Sequence, residues 1–151
     1  MKKFEQIDIS GDVGLRIWGP TPEELFENAA EGLFNLITDA SGIRETDKKE
    51  IVLSSDNTEN LLIQWLNELV FLFDTYSFVG KRFSIGLENR LKYEAAEGEK
   101  SNALKLKANI SGGTFNQENN ECRLLIKAAT YHNLSVKKIN SVWEATVIFD
   151  I

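Results

Sequence analysis

A chain of 151 residues with 42% hydrophobic and 26% charged side chains has the make-up of one globular domain, residues 1–151, able to bury a core. Its 17 basic and 23 acidic side chains give a net charge of −6, which argues against gripping a nucleic-acid backbone through Lys and Arg. A single cysteine, Cys122, excludes an intrachain disulfide, and no stretch is apolar and long enough for a signal peptide or membrane span, so the cytoplasm is the expected compartment.

In chain order, the first signal is an alternation. Val13, Leu15 and Ile17 interleave with Asp12, Gly14 and Arg16, the period of a half-buried strand. The stretch GPTPEELFENAAEGLFNLITDASG then predicts an amphipathic helix ending near Asp39. Thr21 is its N-cap, Pro22 its first residue and Glu24 the acid of a capping box. A short strand follows around Ile51–Ser54. A second helix begins after SSDNTEN, with Leu62, Leu66, Leu69 and Phe73 on its inner face and Leu61, Trp65 and Leu72 widening it. That much apolar surface implies a central helix covered on most sides.

Beyond Gly80 the helical period disappears. Strand-like runs are expected at Arg82–Glu88, Leu91–Ala96, Leu104–Ser111, Arg123–Val136 and Val142–Ile151. The turns between them read as EGEKSN, SGGTFNQENN and KKINS, with Ser111–Gly113 as a hairpin turn. Strand–helix–strand passages followed by an antiparallel meander predict an α+β domain.

Much catalytic chemistry is excluded by composition. One His and one Cys cannot assemble a zinc site of the usual His/Cys kind. As a nucleophile pair, Cys122 and His132 would lie about 33 Å apart on one extended strand. No glycine-rich phosphate loop occurs.

Carboxylates remain. Asp12, after Gly11 in DISGDVG, reads either as a turn residue capping its own backbone or as a ligand, and spacing alone favours the turn. At the other end, Asp150 shares a strand face with Val142, Glu144, Thr146 and Ile148 and is followed by the α-carboxylate of Ile151. Two adjacent anions call for a Lys, an Arg or a hard divalent cation between them. In RLLIKAATYHNLSV, Lys127 sits among apolar residues and needs a carboxylate, which Asp12 or Asp150 could supply. His132, on the parity of Leu124, Ile126 and Ala128, reads as a hydrogen-bonded core or edge residue. Charge is also uneven: residues 1–75 carry 6 basic and 15 acidic side chains, residues 76–151 carry 11 and 8. The acidic half suits a cation or a basic protein surface, although two solvated faces explain it as well.

Taken in order, DISGDVG, TPEELFENAAEGLFNLITD, ENLLIQWLNELVFLFDT, IKAATYH and the closing DI resemble the archease family, accessory proteins of the tRNA-splicing RNA ligase that joins 3′-phosphate or cyclic-phosphate ends to 5′-hydroxyl ends. The resemblance implies two related strand–helix–strand halves sharing a mostly antiparallel sheet, with two amphipathic helices packed on it. It implies a non-enzymatic, divalent-metal-binding role, calcium foremost and Mg²⁺ or Mn²⁺ as alternatives. The ligands would be Asp12, Asp150 and Ile151, with Lys127 a further functional residue. The implied partner is the RNA ligase, whose guanylylation and multiple turnover the protein would promote, without stable nucleic-acid binding of its own. One departure stands out: Ile9, Ser10 and Gly11 occupy the place of a usual His-Thr-Ala, while Asp8 and Asp12 keep their register. Two other readings compete, a small metal-dependent hydrolase or nuclease using Asp12 and Asp150, and a chaperone-like binding module with a structural ion.

Overall fold

Thr21 and Asn57 set the two helices. Thr21 Oγ1 accepts from the Glu24 N–H (3.1 Å), and Asn57 Oδ1 accepts from the Asn60 N–H (2.8 Å), each satisfying an amide that the first helical turn leaves unpaired. A computed structural model of the chain describes residues 1–93 and 100–151, with side chains outside 90–102. In it α1 runs Pro22–Ile37 and α2 runs Thr58–Tyr76. The strands are β1 Phe4–Ile9, β2 Asp12–Gly19, β3 Asp47–Ser55, β4 Phe78–Tyr93, β5 Lys100–Thr114, β6 Ala128–Ile139 and β7 Val142–Asp150. The chain is α+β, two helices packed on antiparallel sheets. No helix among the described residues is long and apolar enough to cross a membrane.

The expectation of one shared sheet needs correcting. The strands divide into a four-stranded sheet, β1-β2-β7-β6, and a three-stranded sheet, β3-β5-β4. The reason lies in the helices. Leu61, Leu62, Ile63, Trp65, Leu66, Leu69, Val70 and Leu72 are buried around most of α2, and one sheet can cover only one side of a helix. Each helix accordingly touches both sheets, α1 through β2 and β4, and α2 through β6 and β3. The fully buried Trp65 donates its indole N–H to Phe26 O of α1 (3.0 Å), and Phe83 of β4 stacks on Phe34 (6.1 Å) and meets the edge of Trp65 (6.5 Å).

The helices also close two sheet edges. Glu27 of α1 accepts from the Ile85 N–H of edge strand β4 (3.2 Å), and partial burial raises the Glu27 carboxyl above its ordinary value. Asn67 of α2 bonds both backbone groups of Ala129 in edge strand β6.

Several boundaries differ from the pattern. β1 was not anticipated, since its residues are half-buried or exposed without a clean alternation. The runs at Arg82–Glu88 and Leu91–Ala96 belong to one strand as far as Tyr93; residues 94–99, with much of the EGEKSN turn, lie outside the described residues. Ser111–Gly113 is no hairpin turn but part of β5, where the glycines let other backbone approach closely. The strand expected from Arg123 starts at Ala128. Before it, the Arg123 and Leu124 amides donate to Ile37 O (2.9 Å) and Leu36 O (3.1 Å) at the end of α1, so this segment pairs with a helix terminus instead of a strand.

Among the described residues one buried side-chain group is left without a partner. Thr38, the C-cap of α1, is fully buried in extended backbone, and its Oγ1 has no hydrogen-bond partner. Thr38→Val keeps the shape and removes the unsatisfied hydroxyl. A gain of about 1 kcal/mol is expected, a rise of about 2–4 °C in Tm by calorimetry for a domain of this size.

Candidate functional site

The acidic residues read from the sequence meet at one end of the four-stranded sheet. β1 and β2 are joined by Ser10 and Gly11 alone, with Ile9 opposite Asp12. Both linking residues have positive φ, 48° and 89°, as a two-residue type I′ hairpin demands. Gly11 is there for conformation, since a Cβ on it would meet nothing within 4 Å. A hairpin this tight makes Asp12 the first residue of β2.

The partner strand comes from the far end of the chain. Val13 pairs with Phe149, so the same register carried on by one residue sets Asp12 opposite Asp150. Asp150 pairs on its other side with Ala128. The last row of the sheet thus reads Ile9, Asp12, Asp150, Ala128. Directly opposed residues hold their Cβ atoms about 5 Å apart on one face. Beneath the acids lies Gly14, where a Cβ would collide with Ile148 Cδ1 (2.7 Å) and Ile7 Cγ1 (3.0 Å); the glycine lets two isoleucines close over the strand.

Both aspartates are exposed, and neither side chain makes an ion pair or hydrogen bond among the described residues. Asp12 therefore does not cap its own turn, and no Lys or Arg stands between the anions. Lys127 corrects the expectation in another way. It lies just before β6, exposed and without an ion pair among the described residues, not in a strand interior. Its tie to the site is through the backbone: the Lys127 N–H donates to Asp150 O (2.8 Å). Ile151 follows β7 and is 47% exposed. Asp8, opposite Val13, alternates to the other face from Asp12, so the two acids of DISGDVG do not converge.

His132 and Cys122 stay apart from this chemistry. β6 bulges between Thr130 and Ser135, and His132 sits exposed on the bulge, its N–H on Thr130 Oγ1 (3.3 Å) and its ring beside Asn133 Nδ2 (3.4 Å). It is an edge residue. Cys122 is exposed and precedes β6. A wide groove on the three-stranded sheet, lined by Lys48, Glu50, Arg82, Ser84 and Asn109, has its guanidinium taken up. Arg82 binds Glu45 (2.6 Å), the main cause holding the Glu45 carboxyl below its ordinary value.

What can the strand end do? Among the described residues no group of three or more His, Cys, Asp or Glu could hold a metal. Two carboxylates, a terminal carboxylate and main-chain carbonyls are all-oxygen donors, which suit a hard cation completing its shell with water. They do not suit zinc. That donor set fits Ca²⁺, Mg²⁺ or Mn²⁺, and the unpartnered anion pair is the observation on which the fit rests. The sequence could not reveal that the two aspartates share a register, because nothing local links residue 12 to residue 150.

The family model described as "Archease protein family (MTH1598/TM1083)" matches residues 4–151. The chain is similar to "Protein archease" of Methanosarcina mazei, 35% identical over 150 residues covering 99% of this chain and 97% of the relative. It is similar to "Protein archease" of Saccharolobus solfataricus, 33% identical over 151 residues covering all of both. Protein 1598 of Methanobacterium thermoautotrophicum, known in solution, superposes with a TM-score of 0.76 at 28% identity over 100% of both chains. A Thermotoga maritima crystal structure, described as "an archease, possible chaperone", shares the fold with a TM-score of 0.60 at 24% identity, covering 97% of this chain and 96% of that one.

Proposed function

The chain belongs to the archease family, and on that premise we propose that it is a non-enzymatic accessory protein whose strand-end carboxylates bind a divalent cation. The ion would be held by Asp12, Asp150 and the α-carboxylate of Ile151, with calcium foremost and Mg²⁺ or Mn²⁺ as alternatives. The partner would be the RNA ligase that joins 3′-phosphate to 5′-hydroxyl ends, its guanylylation and multiple turnover promoted by this protein. Lys127, tied by its backbone to Asp150, would lend a cationic side chain at the edge of the site. A bound cation would supply a fixed positive charge there; the chain's own residues hold it and present it.

One observation carries this reading: Asp12 and Asp150 fall in a single cross-strand row, and neither makes an ion pair among the described residues. Opposed anions repel, and a cation placed between them would be attracted by both. The net charge of −6 fits a protein that works on a protein partner and does not hold RNA stably itself. A hydrolase or nuclease is disfavoured because no third acid, His or Cys joins the pair among the described residues. A chaperone-like module with a structural ion remains the second reading.

Ligation assays with the partner ligase test the role. Substoichiometric amounts of this protein are expected to raise multiple-turnover ligation, and the protein alone with RNA ends and metal should change nothing. Appending residues after Ile151 replaces an anionic oxygen by a peptide carbonyl. Calcium affinity by calorimetry is then expected to fall about tenfold, since ligand charge sets affinity for a hard cation. Equal affinity for the native and extended chains would remove Ile151 from the ligand set.

A further inference from the structure

On the premise that Asp12 and Asp150 form the working site, we infer that Asn67 of α2 is a positioning residue for it, holding the segment Lys127–Thr130 against the end of β7. Asn67 Oδ1 accepts from the Ala129 N–H (2.7 Å), and its Nδ2 donates to Ala129 C=O (3.2 Å). One side-chain amide thus takes both backbone groups of one residue, as a neighbouring strand would. Only this orientation of the amide satisfies both partners, so its oxygen and nitrogen are fixed by the bonding. Asn is a poor helix former, and here it stands mid-helix, half-buried beside Leu66, Leu69 and Val70.

Ala129 lies at the centre of what holds the site. On one side Lys127 N–H donates to Asp150 O (2.8 Å), and on the other Thr130 Oγ1 donates to Ile148 O (2.9 Å). Ala129 itself pairs with Phe149, and Ala128 pairs with Asp150. The segment is therefore gripped from two edges, by β7 and by α2. Without Asn67, β6 would present an unpaired edge at this point, free to lift from β7 and carry the Lys127 bond to Asp150 with it. The aspartate's backbone, and so the aim of its carboxylate, is held from a helix in the core. Supporting groups behind metal ligands typically change affinity tenfold or more when removed.

The test uses the full chain, calcium alone as probe, and two readouts, calorimetric affinity and amide exchange by NMR. Asn67→Leu keeps the branching and removes both bonds; Asn67→Asp keeps the acceptor and removes the donor, and carries the test should the leucine variant fail to fold. Gln64→Ala on the exposed face of α2 is the control. The expected result is exchange at the Lys127 and Ala129 amides at least about tenfold faster, Leu106 in β5 unchanged, and calcium affinity lower by about tenfold. Wild-type affinity in a folded variant overturns the assignment, as does exchange that is unchanged at Lys127 or accelerated equally at Leu106, which marks a contribution to stability alone. Should the wild-type chain bind no calcium, the metal reading fails by itself, and the exchange pattern still decides whether Asn67 holds this segment.

Discussion

Asp12→Ala and Asp150→Ala are each expected to abolish the thermal response to calcium and the stimulation of the partner ligase. On the proposed reading each removes one anionic ligand from a site with few, and a hard cation's affinity follows the ligand charge. The fold should survive. Asp12 and Asp150 are exposed and their side chains bond nothing among the described residues, so neither change should cost more than about 0.5 kcal/mol. Relief of repulsion between opposed anions should instead stabilise the metal-free protein slightly. Asp12→Asn, which keeps shape and removes charge, should behave as the alanine does. Differential scanning with and without calcium, alongside multiple-turnover ligation, reads both effects. A double variant that still accelerates ligation at the wild-type level sinks the cation as the working part.

Gly112→Ala is expected to damage the fold severely. A Cβ at Gly112 would lie 2.0 Å from Val79 O and 2.9 Å from Gly80 Cα, both main-chain atoms of the neighbouring strand that cannot swing aside. Accommodating one methyl means prising β5 from β4 beside the bulge at Gly80/Arg82. Destabilisation of at least about 3 kcal/mol is expected, a fall of about 6–12 °C in Tm. Gly86→Ala, on the same sheet, is the matched control: its Cβ would meet nothing within 4 Å, and stability should stay level or rise by up to about 1 kcal/mol. A loss at Gly86 as large as that at Gly112 would mean that the approach of Val79 O is not what sets the cost at Gly112.

Local signals in the sequence identified the helices well. Thr21, Pro22 and Glu24 declared the start of α1, and the wide apolar circumference around Trp65 declared a helix covered on most sides. What could not be read was tertiary in origin. The alternation through Arg123–Ile126 is real, but its amides pair with Ile37 and Leu36 at the end of α1, a contact no local pattern encodes. Likewise the glycines at 112 and 113 look like turn formers in sequence; only the approach of Val79 O and Arg44 O explains them. For the site, family likeness pointed to Asp12 and Asp150, and the register Val13–Phe149 supplied the physical reason for their meeting. Lys127 lies exposed just before β6 although Leu125, Ile126 and Ala128 flank it, because an apolar neighbourhood in sequence need not be one in space.

The place of β7 in its sheet has a consequence for biosynthesis. It is the last strand in chain order, yet it lies between β2 and β6, and its Phe149 pairs with Val13, 136 positions earlier. During synthesis the β1–β2 hairpin has no further sheet neighbour until residues 142–150 are made, so one edge of β2 stays bare while the intervening elements form. Pairings of such long separation are slow to form and exposed to misassociation meanwhile. A chain truncated before β7 would lack both one of the sheet's two inner strands and half of the acid pair. Closing the ladder between β2 and β7 and bringing Asp12 opposite Asp150 are thus one event.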